Sequence, residues 1–187
     1  MRVTREKVAE HRRTILETAA RMFRERGVGD VGVAEIMQAS GLTHGAFYGH
    51  FRSKDELASE ACREACAQSL ARWEKMPELK RIIDGYLSIE HRDNPARGCS
   101  VSALAGEAAR GVPLREDYTD GVEGFLQAIE QRLPGEPSPE RRRRAVAIFS
   151  AMVGALTMAR AVAASDPELS REILTSARSE IAERFGV

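Results

Sequence analysis

Nowhere in this chain do apolar residues alternate at every second position with β-branched enrichment; instead they return every three or four positions almost throughout. A strand needs the two-residue alternation to bury one face, so the pattern predicts an all-α fold. Pro77, Asp93-Asn94-Pro95, Gly111-Val112-Pro113, the loop Pro134 to Pro139 and Asp166-Pro167 interrupt the helical spacing. These breaks leave five helical segments, approximately 78–90, 99–110, 114–133, 139–164 and 167–185. Upstream, Val8, Ile15, Leu16, Ala19, Met22 and Phe23 mark a first helix that ends at Gly27. Ser53-Lys54-Asp55-Glu56 is a capping box, and Leu57, Ala61, Cys62, Ala65, Cys66 and Leu70 carry the helix it opens toward Trp73. With two short helices between Gly27 and Ser53, nine helices are expected, without internal repeats.

The most unusual stretch runs from Ile36 to Lys54, IMQASGLTHGAFYGHFRSK, nineteen residues without Asp or Glu in a chain that is 30% charged. A short apolar helix through Ile36 and Met37, a Ser40-Gly41 break and a second helix begun by Thr43 read as helix-turn-helix. Small Gly45, Ala46 and Gly49 lie away from Phe47, Tyr48 and Phe51, so this second helix can approach a large surface closely. An acid-free surface of that shape suits a polyanion, with the major groove of double-stranded DNA as the natural candidate.

The run Gly41-Leu42-Thr43-His44-Gly45-Ala46-Phe47-Tyr48-Gly49-His50-Phe51-Arg52-Ser53-Lys54-Asp55-Glu56-Leu57 closely resembles the recognition segment of TetR-type transcriptional regulators. A hydroxyl residue, a Gly, a Tyr, a His-Phe pair and a Ser/Thr-Lys-Glu/Asp run recur there at these intervals. The resemblance extends through Ile15, Ala19, Phe23, Gly27 and the Val33 to Ala39 helix, covering roughly residues 8 to 60. It departs at Val31-Gly32, where such proteins commonly place Thr or Ser to cap the second helix and touch a phosphate. The resemblance implies a homodimer that binds a (pseudo)palindromic operator and releases it when a small-molecule effector binds the body. A DNA-binding domain at 1–53 and an effector-binding and dimerisation domain at 54–187 follow.

Charge agrees with that division. From Met1 to Lys54 ten Lys and Arg stand against six Asp and Glu, and the remainder carries 18 against 22, so a basic head is joined to a mildly acidic body. Met1 opens onto a charged helix rather than a signal peptide, and no apolar run is read as long enough to span a bilayer. Three cysteines make no disulfide framework. A cytoplasmic protein with reduced thiols, and no membrane partner, is the expectation.

Within the head, Thr43 is expected to cap the recognition helix and meet a phosphate. His44 and Gly45 lie at its N-terminus, which points at base edges in helix-turn-helix proteins, so His44 is the candidate for direct base contact. Tyr48, one turn on, fits against the sugar-phosphate wall. The family resemblance adds His50 and Lys54 as backbone contacts. Phe47 and Phe51 are read as core.

The body carries less specific signals. Between Ala145 and Ala164 only Arg160 is charged, which predicts a helix buried on more than one side. Its Ala151, Gly154, Ala155 and Met158, with Ile173, Ala177 and Ile181 of the last helix, are the candidate dimer interface through a four-helix bundle. Trp73, Tyr86, Tyr118, Phe125, Phe149 and Met152 are candidate effector contacts, with plain core packing as the competing reading of each. Arg141 to Arg144 reads as a solvated helix start rather than a second nucleic-acid patch, and Cys62 with Cys66 as core filling rather than metal ligands.

Cys99 follows Arg97-Gly98 at an expected helix start, where dipole and guanidinium favour a thiolate. Because some TetR-type regulators sense oxidants or electrophiles through a cysteine, a redox-sensing regulator acting through Cys99 is an alternative. No catalytic residue, cofactor or metal site is assigned: His91 and Cys99 lack any nucleophile signature, and Gly-rich phosphate loops and zinc motifs are absent. A non-catalytic helical protein-interaction module remains the rival of a different class; its binding would show little of the salt dependence that phosphate contact imposes.

Overall fold

The computed structural model describes residues 4–111 and 114–187, and these form an all-helical protein. Val112 and Pro113, part of one expected break, lie outside the described residues. Among the described residues there are nine α-helices and two 3-10 helices. The α-helices are α1 (Arg5–Arg26), α2 (Val33–Ala39), α3 (Lys54–Glu74), α4 (Leu79–Tyr86), α5 (Ile89–Asp93), α6 (Ser100–Ala109), α7 (Arg115–Glu130), α8 (Pro139–Val162) and α9 (Pro167–Phe185). The 3-10 helices are His44–Gly49 and Pro95–Arg97.

The division differs from the expected nine in two places. The recognition element is a 3-10 helix; two of its six residues are glycines, which disfavour the α-helix. The segment expected at 78–90 is two helices, because Leu87 leaves helical geometry and Ser88 starts α5 by accepting the His91 amide at 3.1 Å.

The head is built from its own turns. Gly27 ends α1 with φ 85°, its amide donating to the Phe23 carbonyl at 2.9 Å. Gly41 turns the chain after α2 at φ 70°, a left-handed conformation that costs a residue with a Cβ about 1 to 2 kcal/mol. α2 begins at Gly32 without a side-chain cap. Ile15, Ala19, Phe23, Ile36, Met37, Phe47, Phe51 and Leu57 are all buried and fasten these pieces to α1 and the start of α3. Ser53 Oγ accepts the Glu56 amide at 3.1 Å, but Glu56 reaches back to the Arg52 amide, at 2.6 Å, rather than to that of Ser53. α3 then runs from the head into the body, packing on α1 at one end and on α7 further along.

In the body α8 packs along α7 and α9, and its inward face, Ala145, Ile148, Phe149, Met152, Ala155, Leu156 and Ala159, fills the core. By length and composition α8 is long and apolar enough to cross a membrane, which corrects the reading that no run qualifies; only 39% of its most apolar window is buried. The arginine run opens α8 at the surface, as expected of a helix start, and makes local contacts there. Arg142 pairs with Glu123 and Glu130 of α7, Arg143 with Glu140, and Arg144 donates to the Phe185 carbonyl at 2.7 Å.

Candidate functional site

Aromatic packing decides which way the recognition element faces. Phe47 and Phe51 stack inward with ring centroids 5.9 Å apart, and the Arg12 guanidinium lies 4.5 Å from the Phe51 centroid while its Nη2 pairs with Glu60 at 2.7 Å. That anchoring turns Tyr48 outward, leaving it 68% exposed, with His44 exposed beside it at 6.3 Å between ring centroids. A Cβ added at Gly45 or Gly49 meets nothing within 4 Å, so the protein's own packing does not demand glycine at either position. Their bareness keeps the outer surface low. Thr43 occupies the cap position in extended geometry and is exposed, but its hydroxyl makes no cap bond, so that part of its expected role is not met.

His50 and Lys54 flank the element differently from His44. His50 is half-buried against His11, 6.2 Å between rings, and its Nδ1 is buried without a partner. Burial, then the charges of His11 and Arg12, lower its pKa and favour the neutral ring. Lys54, in the first turn of α3, points its Nζ to within 3.5 Å of the Gly29 carbonyl. Arg26 pairs with Glu35 and Arg52 with Glu56, which reduces the negative charge that the head presents to an anion.

Two contacts join head to body that sequence reasoning did not find. Glu107 of α6 accepts the amides of Val28 at 2.8 Å and Gly29 at 3.1 Å, clasping the turn between α1 and α2. Arg24 of α1 donates from Nε to the Ala96 carbonyl at 2.8 Å, in the 95–97 turn of the body. Burial first, then Arg72, lowers the Arg24 pKa to about 10, so it stays charged at neutral pH.

The body encloses a half-open cavity of about 530 Å³ between α3, α4, α5, the 95–97 turn and α7. Trp73, Tyr86 and Phe125 line it. The other three candidates do not: Phe149 stacks on Phe125 at 5.3 Å behind the wall, Met152 is wholly buried core, and Tyr118 spends its hydroxyl on the Val101 carbonyl at 3.0 Å. Arg72 and Arg97, absent from the sequence-derived candidates, do line it. His91 donates from Nδ1 to the Tyr86 carbonyl at 2.7 Å and accepts the Cys99 amide on Nε2 at 3.1 Å. Those partners require the neutral ring with its proton on Nδ1, and burial lowers its pKa to about 4.

Cys99 is corrected by the same geometry. It caps α6 and borders the cavity, yet its side chain is buried and burial pushes the thiol pKa up rather than down. The neighbouring guanidinium of Arg97 lies on the exposed side, and His91 meets the Cys99 amide rather than its sulfur. The basis for a reactive thiolate is therefore lost. Of the candidate interface residues, Ala155 and Ile181 face the protomer's own core, 3% and 2% exposed. Ala151 and Met158 are exposed, while Gly154, Ile173 and Ala177 are half-exposed.

Residues 15–61 match the family model described as bacterial regulatory proteins, tetR family. The head of the chain is thus similar to the corresponding segment of tetR-family proteins. One relative, the HTH-type transcriptional regulator AcrR of Shigella flexneri, is 42% identical over 59 residues, which cover 32% of this chain and 27% of that protein. The match thus spans about a quarter of that relative's length. The fold extends further. A TetR transcriptional regulator from Chloroflexus aurantiacus superposes with a TM-score of 0.80 at 24% identity, covering 97% of this chain and 96% of its own. Reduced NemR of E. coli does so at 0.76 and 19%, covering 93% and 96%.

Proposed function

We propose that the chain is a homodimeric transcription regulator, a repressor whose head, 1–53, grips a double-stranded operator and whose body, 54–187, releases it on binding a small molecule. The observation that carries DNA binding is the outward face of the 3-10 element: Tyr48 and His44 project, exposed, from a segment that holds no acidic residue. In this reading His44 meets a base edge, Gly45 lets the backbone come close, and Thr43, Tyr48, His50 and Lys54 hold the sugar-phosphate walls. A DNA-binding regulator works in the cytoplasm of a bacterium, where its operator is.

Dimerisation is supported by the uncovered side of α8. Ala147, Ala151 and Met158 are exposed and Gly154 is open on the part of α8 after Arg144, where only Arg160 is charged, and Met158 alone is 55% exposed. A second copy packing its α8 and α9 there makes a four-helix bundle that relieves the exposure. Ala151→Glu should split the dimer while leaving the helices intact, read by sedimentation and circular dichroism.

Selection of duplexes from a random pool tests the whole reading. A dimeric regulator should enrich a (pseudo)palindrome and lose affinity steeply as salt rises, because phosphate contact releases counterions. An unselective pool with salt-independent binding would favour a protein-interaction module instead.

A further inference from the structure

The body cavity carries a charge pattern that its aromatic wall does not explain. Among the described residues, four arginines gather on and behind it without an ion pair to any carboxylate: Arg24, Arg72, Arg97 and Arg160. Two are consumed by the fold. Arg24 holds the Ala96 carbonyl, and Arg160 holds the carbonyls of His91 at 2.7 Å and Arg92 at 3.1 Å with Ser102 Oγ at 3.2 Å. Gly98 permits that arrangement, since a Cβ there would lie 2.8 Å from Arg160 Nη2 and 2.9 Å from His91 Nε2.

The other two are not consumed. Arg72 donates from Nη2 only, to Ser69 Oγ at 2.7 Å and weakly to the Arg97 carbonyl at 3.5 Å. The Arg97 guanidinium has no hydrogen-bond partner among the described residues. Both line the cavity, and they are close enough that Arg97, after burial, lowers the pKa of Arg72. Glu90 is the one acid on the wall, and it is exposed; His91 is neutral. Two adjoining guanidiniums with free donors repel each other until an anion bridges them, and their forks match a carboxylate's two oxygens. Below them Trp73 and Phe125 meet edge to face, 4.8 Å between centroids, and offer an apolar bed.

We infer that this cavity receives a small aromatic carboxylate, its oxygens bridging Arg72 and Arg97 and its ring lying against Trp73 and Phe125. The volume of about 530 Å³ falls among pockets that enclose drug-sized ligands. The inference rests on the effector reading above and supplies its ligand class. It also supplies a route to the head, because Arg97 ends the same 95–97 turn whose Ala96 carbonyl is held by Arg24 of α1. A ligand that draws Arg97 inward pulls on the contact between that turn and α1.

Trp73 is the chain's sole tryptophan, so its emission reports this cavity without reference to DNA. Phenylacetate, 4-phenylbutyrate and 1-naphthylacetate are titrated by calorimetry and, for the first two, by Trp73 emission, each beside its own neutral amide. At least one acid should bind ten times or more tighter than its amide, and the Arg72→Gln/Arg97→Gln pair should abolish that preference. Arg72→Lys, which keeps the charge and loses the fork, should retain part of it, and circular dichroism establishes that each variant is folded. Equal binding of acid and amide, no binding by any acid at millimolar concentration, or a preference that survives the double substitution would overturn the inference. A bound acid that fails to release a selected duplex leaves the receptor standing and contradicts the effector reading alone.

Discussion

The head and the body handle charge in opposite ways, and the difference separates what each is for. In the head, two acids are paired with arginines, Glu35 with Arg26 and Glu56 with Arg52, while the recognition element itself carries no acid and stays exposed for a polyanion. The body instead has two guanidiniums without a carboxylate partner, Arg72 and Arg97, on the wall of a half-open cavity of about 530 Å³, room for a small anion. Size, rather than sign, distinguishes the two targets. Between them stand Glu107 and Arg24, which tie the body to the turn after α1 and to α1 itself.

The largest expected effect separates support from contact within the head. Phe47→Ala empties a site buried to 1% and should cost about 3 to 5 kcal/mol in denaturant unfolding. Tyr48→Ala, its neighbour at 68% exposure, should change stability by less than about 0.5 kcal/mol yet weaken operator binding. Equal destabilisation by the two would erase the distinction between inward and outward aromatics.

Next comes a pH effect confined to the body. His91 is held neutral with a folded pKa of about 4, below the ordinary 6.5, so unfolding takes up a proton between those values. Its stabilising contribution is complete above about pH 6.5 and falls away toward pH 4, by about 2 to 3 kcal/mol. Urea unfolding at pH 7 and 5 should show the loss in the native chain, and His91→Gln should flatten it.

A smaller effect addresses the link. Glu107→Ala leaves the Val28 and Gly29 amides without their acceptor, which should cost about 1 to 2 kcal/mol. Hydrogen exchange at those two amides should quicken while the amides of α8 stay protected. Thr43→Ala should be the mildest, within about 0.5 kcal/mol of the native stability because its hydroxyl caps nothing, and any loss should fall on DNA affinity.

The contrast between head and body also governs what the sequence made legible. Head elements are set by neighbours in the chain: Gly41 makes the turn, Ser53 and Glu56 open α3, and Phe47 and Phe51 share a face. Body features come from distant residues. Arg72 and Arg97 are 25 positions apart and Glu107 is 79 from Val28, with no local signal for either meeting. The facing of α8 is illegible for another reason: a stretch apolar nearly all round has no polar side to orient it, so its sequence does not reveal that Ala155 packs inward while Ala151 faces out. Cys99 failed similarly, since the charge of nearby Arg97 can be read from sequence and burial cannot.

The central claim is that the outward 3-10 face reads DNA through His44 while Lys54 only grips it. Filter binding of His44→Ala and Lys54→Ala to a selected duplex and to random duplex, across a salt series, tests it most directly. His44→Ala should cost about 1 to 3 kcal/mol on the selected duplex alone with the salt slope unchanged, while Lys54→Ala should weaken both duplexes and flatten the slope by about one. Equal losses from His44→Ala on selected and random DNA would contradict the account.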